Sequence, residues 1–131
     1  MNCENVIKKI KPSIALVLVY QEGKIVGKAS GFIFFKKGLL VTCNHVVLDR
    51  DLKIFLQFPN IDELISAKVV IRDEEHDIVL LKYENDILEP LIRCDETKIK
   101  EGMSVIFSGY PLSLSSLTTH QGLLSGIIVD A

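Results

Sequence analysis

The hydrophobic positions of this chain change their period once, near Pro12. Before it, over residues 3 to 11, Val6, Ile7 and Ile10 fall on one helical face, and Asn2 stands where an N-cap belongs. Glu4 near the start and Lys8, Lys9 and Lys11 near the end suit the dipole of that short helix, which Pro12 stops. After it the pattern is β. Ile14 to Tyr20 is a continuous apolar run of strand length, Gln21 to Lys24 holds a Gly-centred turn, and Ile25 to Phe35 carries a second strand. Lys36-Lys37-Gly38 is another turn and Leu39 to Cys43 a third strand. Leu52, Ile54, Leu56 and Phe58 alternate with polar positions, and Ile65, Ala67, Val69 and Ile71 repeat the alternation. Ile78 to Tyr83 is apolar at successive positions, which predicts a strand buried on both faces. Residues 85 to 103 read as a connector with a short strand near Leu91, and two further strands are expected near Ser104 to Ser108 and Gln121 to Val129. Short strands joined by turns, almost without helix, predict an antiparallel barrel or sandwich.

Composition narrows the function more than the fold. A hydrophobic fraction of 48%, charged residues at 24% and a net charge of −2 describe an ordinary globular chain with no basic field for nucleic acid. The longest apolar run falls far short of the roughly 20 residues of a membrane-spanning helix. Lys8, Lys9 and Lys11 ahead of that run imitate a signal peptide only faintly, since Pro12 interrupts the apolar segment and no small-residue cleavage site follows. Three cysteines, Cys3, Cys43 and Cys94, are odd in number and far apart, which predicts reduced thiols and a cytoplasmic location, with secretion after a trimmed leader as the alternative.

The polar residues that interrupt apolar strands carry the candidate chemistry. In "GLLVTCNHVV", residues 38 to 47, a strand runs into His45; in "EEHDIVLLK", Asp77 heads the most apolar strand. An unpaired buried carboxylate is costly, so Asp77 is either solvated at the strand's edge or partnered, and His45 is a candidate partner. From the residues alone, a packed core histidine and a working His–Asp pair both remain open. Cys43-x-His45 has the look of a metal pair, but Cys3, Cys94, His76 and His120 supply no second pair, so no metal and no cofactor are expected. His76 reads as a solvated loop residue and His120 as solvent-facing.

Four segments together resemble a known family. "ASGFIFFKKGLLVTCNHVV" resembles the segment of trypsin-like serine proteases of the HtrA/Deg type that ends in the catalytic histidine. "HDIVLLKYE" resembles the segment that carries the catalytic aspartate, and "EGMSVIFSGYPLSLSSLTTHQGLLSGI" the entry to the second barrel. The N-terminal helix followed by Pro-Ser and an apolar strand fits the same group. The resemblance implies the chymotrypsin fold: an all-β, antiparallel six-stranded barrel after a short N-terminal helix, with the first strands of a truncated second barrel. It implies His45 as general base and Asp77 as the buried carboxylate that orients its ring, with polypeptide as the parent protein's substrate.

The family's nucleophile lies in a Gly-x-Ser-Gly-Gly loop whose N–H groups also form the oxyanion hole. Ser104, Ser108, Ser113, Ser115, Ser116 and Ser125 all lack that context, so no nucleophile is assigned. A double barrel occupies roughly 200 to 250 residues, against 131 here. The expected organisation is a helix over 1–12, a first barrel over 13–100 and the start of a second over 101–131. Such a chain is expected to be the inactive N-terminal part of a serine endopeptidase. The alternative is a non-catalytic barrel used for protein binding or assembly. Leu123, Leu124, Ile127, Ile128 and Val129 would lack barrel partners, and open apolar edges predict self-association through residues 104–131.

Overall fold

In the computed structural model, which describes residues 2–48, 51–111 and 116–128, the first six strands close into one antiparallel barrel. Helix α1 (Cys3–Ile10) starts at Asn2, whose side chain accepts from the Asn5 N–H at 3.3 Å. Pro12 then sits in a 3-10 turn, Lys11–Ser13, that delivers the chain to β1 (Ile14–Gln21). The barrel continues through β2 (Lys24–Ile33), β3 (Leu39–Cys43), β4 (Lys53–Gln57), β5 (Ile65–Asp73) and β6 (Ile78–Tyr83). Its order is β1-β2-β3-β6-β5-β4, with β4 pairing back onto β1. Closure gives every barrel strand a neighbour on both sides, and the cysteines are free.

The continuous apolar run of β1 is explained by two covered faces. Ala15, Val17 and Val19 point into the barrel among Ile33, Leu40, Leu56 and Leu81. Ile14, Leu16 and Leu18 point outward into a second cluster with Tyr110, against which Ile10, Phe55 and Leu117 pack. Each buried Leu, Ile or Val of this kind contributes about 1.5–3 kcal/mol relative to exposure. At Gly31 of β2 the layers come too close for a side chain: a Cβ there would lie 2.5 Å from Leu40 Cδ2 and 3.0 Å from the Val41 carbonyl oxygen.

Three sequence expectations change. Strand β6 is not buried on both faces: Val79, Leu81 and Tyr83 point inward, while Ile78 and Lys82 are exposed. Its outer face shares an apolar surface with Phe34, Phe35 and Ile71, which no described element covers as β1 is covered. No strand forms near Leu91; its N–H makes a single backbone bond to the Ile33 carbonyl at 3.0 Å, and the connector's ordered structure includes a 3-10 turn, Glu96–Lys98, capped by Asp95, and a turn closed by the Met103 N–H on the Lys100 carbonyl at 3.2 Å. The last strand starts earlier and ends sooner than its apolar residues suggest.

That strand, β8 (Thr118–Leu123), pairs antiparallel with β7 (Ser104–Gly109) as a separate two-stranded sheet. Leu124 prolongs the ladder by one more pair, its N–H donating to the Met103 carbonyl at 2.8 Å. This ribbon is tied to β2 where the Tyr110 N–H donates to Ser30 Oγ at 2.6 Å. Val129, included in the expected last strand, lies outside the described residues. Among the described residues no helix is long and apolar enough to cross a membrane.

Candidate active site

Two strand ends meet at one rim of the barrel. Strand β3 pairs with β6 so that Cys43 lies opposite Ile78, which sets the residues just beyond them, Asn44 to Val47 and Asp77, side by side. The chain leaves β3 in a 3-10 turn, Asn44–Val47, anchored by Val47 in the core and by buried Asn44. The Asn44 N–H donates to the Asp77 carbonyl at 3.1 Å, and Asn44 Oδ1 accepts from the Arg72 guanidinium at 2.8 Å. Thr42 Oγ1 ties the end of β3 to the Ser30 carbonyl at 2.8 Å.

On that frame His45 and Asp77 make a two-point contact. The His45 backbone N–H donates to Asp77 Oδ1 at 2.8 Å, and His45 Nδ1 lies 2.5 Å from Asp77 Oδ2. Asp77 holds this pose with φ at +55°, an uncommon left-handed conformation that aspartate tolerates better than most residues. Its carboxyl is held below the usual aspartate range, first by the hydrogen bond from the His45 ring and then by that from the His45 backbone. An ionised Asp77 accepts, so Nδ1 is a ring nitrogen that carries a hydrogen, and in the neutral ring the Nε2 lone pair is left free. The side chains are 66% and 47% exposed, respectively. The buried position that the resemblance implies for Asp77 is therefore not found. Asp77 stands before β6 begins, at the rim, where no described side chain closes over it.

The other sequence candidates fall elsewhere. His76 is exposed as expected but is not merely solvated: its backbone N–H and its Nδ1 contact Asp73 Oδ1 and Oδ2 at 3.1 and 2.9 Å. The sequence signal for this pair is local, Asp73-x-x-His76 across a turn. His120 is exposed on β8 and stacks on Phe107, its cross-strand partner, with ring centres 5.4 Å apart. Ser108 Oγ is paired with Thr119 Oγ1 at 2.6 Å, and Ser104, Ser116 and Ser125 are exposed. Ser113 and Ser115 lie outside the described residues. Among the described residues no serine hydroxyl is hydrogen-bonded to His45. Cys43 is exposed, and its Sγ, one ring nitrogen of His45 and an Asp77 carboxylate oxygen all lie within 4.8 Å of one another.

The trypsin-like peptidase domain family matches residues 29–130, well over half of the chain. The chain belongs to this family. As a trypsin-like peptidase domain it is similar to proteins named "Probable periplasmic serine endoprotease DegP-like". The one from Hahella chejuensis is 36% identical over 105 residues, covering 80% of this chain and 21% of the relative. That from Pseudomonas putida is 37% identical over 97 residues, covering 73% and 20%, and that from Rickettsia conorii 32% over 120 residues, covering 91% and 23%. The chain thus spans about a fifth of the length of the curated relatives it matches. The resemblance to DegP-type serine endopeptidases is therefore one of part of a protein. Within it His45 and Asp77 have the arrangement of two of the three members of a Ser-His-Asp triad.

These comparisons overturn the cytoplasmic location expected from the cysteines, because the relatives are named as periplasmic. The physical reason lies in the barrel. A closed barrel with its own apolar core does not require a disulfide to fold, so an unpaired set of thiols does not report the compartment.

Proposed function

We propose that this domain supplies the general base and its orienting acid to a serine endopeptidase acting on polypeptide, with His45 as the base and Asp77 as the acid. The single observation that carries this reading is the two-point contact between them. One carboxylate oxygen holds the His45 backbone and the other its Nδ1, so the ring is fixed in position and in tautomer. Such a histidine takes a proton from an attacking hydroxyl at Nε2 and later returns it to the leaving amine. The nucleophile and the N–H groups that stabilise the oxyanion come from outside the described residues, in a second barrel. On this reading the helix over 1–12 and the barrel over 13–100 form one unit, and 101–131 begins the second. The setting is periplasmic, as the relatives' names support.

The test compares cleavage of an unfolded, quenched fluorescent polypeptide by this chain alone and by the chain joined to a second barrel carrying a Gly-x-Ser-Gly-Gly loop. No cleavage is expected from the chain alone. The joined protein is expected to cleave, and to lose that activity on His45→Ala. Cleavage that survives His45→Ala refutes the assignment.

Self-association through residues 104–131 belongs to the same reading. Phe107, Leu123, Ile127 and Ile128 are exposed on or beside a ribbon of only two strands, whose outer edges are open. Light scattering over a concentration series is expected to show oligomers that Leu123→Lys with Ile128→Lys dissolves; a monomer at high concentration contradicts it.

A further inference from the structure

We propose that Cys43, His45 and Asp77 form a binding site for a thiophilic divalent cation, with Zn2+ as its natural probe, and that occupancy silences His45 as a base. Along the chain, cysteine and histidine spacing offers only Cys43-x-His45. The fold adds a third donor from a distant segment. Pairing of β3 with β6 brings Asp77 to the end of β3, and the three donor atoms already lie within 4.8 Å of one another. Thiolate, imidazole and carboxylate are the donors zinc takes, and three protein ligands with water in the fourth place make an open tetrahedral site. Zinc bonds of about 2.0–2.3 Å put tetrahedral donors roughly 3.3–3.6 Å apart. The cluster must therefore tighten by about 1 Å at its widest, while the 2.5 Å contact between Nδ1 and Oδ2 opens by a similar amount. All three residues have room for that adjustment: Cys43 is exposed, and the His45 and Asp77 side chains are 66% and 47% exposed. Magnesium and calcium, which want six or more oxygens, find one carboxylate here.

The proton balance gives the functional consequence. Zinc binding at Nδ1 replaces the Nδ1 hydrogen, and the neutral ring carries its hydrogen at Nε2 instead; the Cys43 thiol loses its proton to solvent, so one proton is released overall. With Nε2 now a donor, His45 has no lone pair left to take a proton from a hydroxyl. The silencing rests on the reading of His45 as base, whereas the binding does not, and the two are tested separately.

Binding is tested on this chain with Co2+ as a spectroscopic stand-in. A thiolate-to-cobalt charge-transfer absorption is expected, saturating at one equivalent, displaced by Zn2+ and unaffected by Mg2+. Cys43→Ser, at an exposed position and with its fold checked by circular dichroism, is expected to abolish that absorption and weaken Zn2+ binding at least tenfold against a chromophoric chelator. Cys94→Ser is expected to change neither. Absence of the absorption, or its survival in Cys43→Ser, overturns the site. Silencing is tested on the joined two-barrel protein, where Zn2+ is expected to inhibit at least tenfold more strongly than it inhibits the Cys43→Ser form. Equal inhibition of the two, with cobalt binding intact, overturns the silencing and leaves the site standing.

Discussion

Two His–Asp pairs among the described residues differ little in their contacts. In each, the carboxylate accepts a backbone N–H with one oxygen and contacts a ring Nδ1 with the other: 2.8 and 2.5 Å for His45 with Asp77, 3.1 and 2.9 Å for His76 with Asp73. Their exposures are also alike, 66% and 47% against 66% and 48%. Both carboxyls are held below the usual aspartate range, Asp77 chiefly by the His45 ring and Asp73 chiefly by the His76 backbone. What separates them is how they are made. Asp73 and His76 meet across one turn between β5 and β6, and any chain folding that turn locally would form the pair. His45 and Asp77 meet only because β3 and β6 are neighbours in a closed barrel, with Asn44 bridging to Asp77 and Arg72. A catalytic base needs to be held relative to the rest of a site, and a turn-borne pair is held relative only to itself. The lesson is that the hydrogen-bond geometry of a His–Asp pair does not identify a base; its attachment to a rigid, non-local frame does.

That contrast is open to several tests. The largest effect is expected in peptidase activity of the joined two-barrel protein, where Asp77→Asn should cost on the order of 10⁴ in turnover and Asp73→Asn less than about threefold, within the range of ordinary surface substitutions. A loss of similar size in both would erase the distinction. Next in size is the barrel's own integrity. Gly31→Ala drives a methyl group into Leu40 and the Val41 carbonyl, and chemical denaturation is expected to show a loss of about 1–3 kcal/mol. In that variant the His45–Asp77 contact should loosen, seen as faster exchange of the His45 ring hydrogen, while His76–Asp73 is unmoved. Arg72→Ala leaves buried Asn44 Oδ1 without its partner and is expected to cost about 1–3 kcal/mol, again loosening only the first pair. The smallest effect is on acid stability. A carboxyl whose folded pKa is depressed contributes stability above its unfolded value, near 3.8 for Asp77 and Asp73, and that contribution is lost as pH falls through the lower folded value. Thermal unfolding between pH 5 and about 2 should therefore decline with acidity, and Asp77→Asn and Asp73→Asn should each flatten that decline slightly.

The barrel was legible in the chain because alternation and turns are local signals. Leu52 to Phe58 and Ile65 to Ile71 could be read residue by residue, and the apolar run of β1 marked a strand even before its second covered face was known. The same rule misled at β6. Continuous apolarity meant two-sided burial in β1, where Tyr110 and Leu117 return to cover it, but not in β6, where Ile78 stays exposed. Which outer faces are covered is decided by distant segments, and no local pattern carries it. The partly open setting of Asp77 was hidden for the same reason. His45 and Asp77 were readable as candidates because each interrupts an apolar strand, and the four family-like segments ordered them. The Asp73–His76 pair had a local spacing and could have been found. The third donor beside Cys43 could not, because Asp77 joins it only through strand pairing.

The measurement closest to the central claim is the tautomer of the neutral His45 ring, read as protonation of its two nitrogens by 15N NMR across a pH series, in the native sequence and in Asp77→Asn and Asp73→Asn. If the barrel frame holds the base, Nδ1 carries a slowly exchanging hydrogen and Nε2 is bare, a state lost in Asp77→Asn and kept in Asp73→Asn. A ring protonated at Nε2 in the native sequence, or an Nδ1 hydrogen that outlives Asp77→Asn, would contradict it.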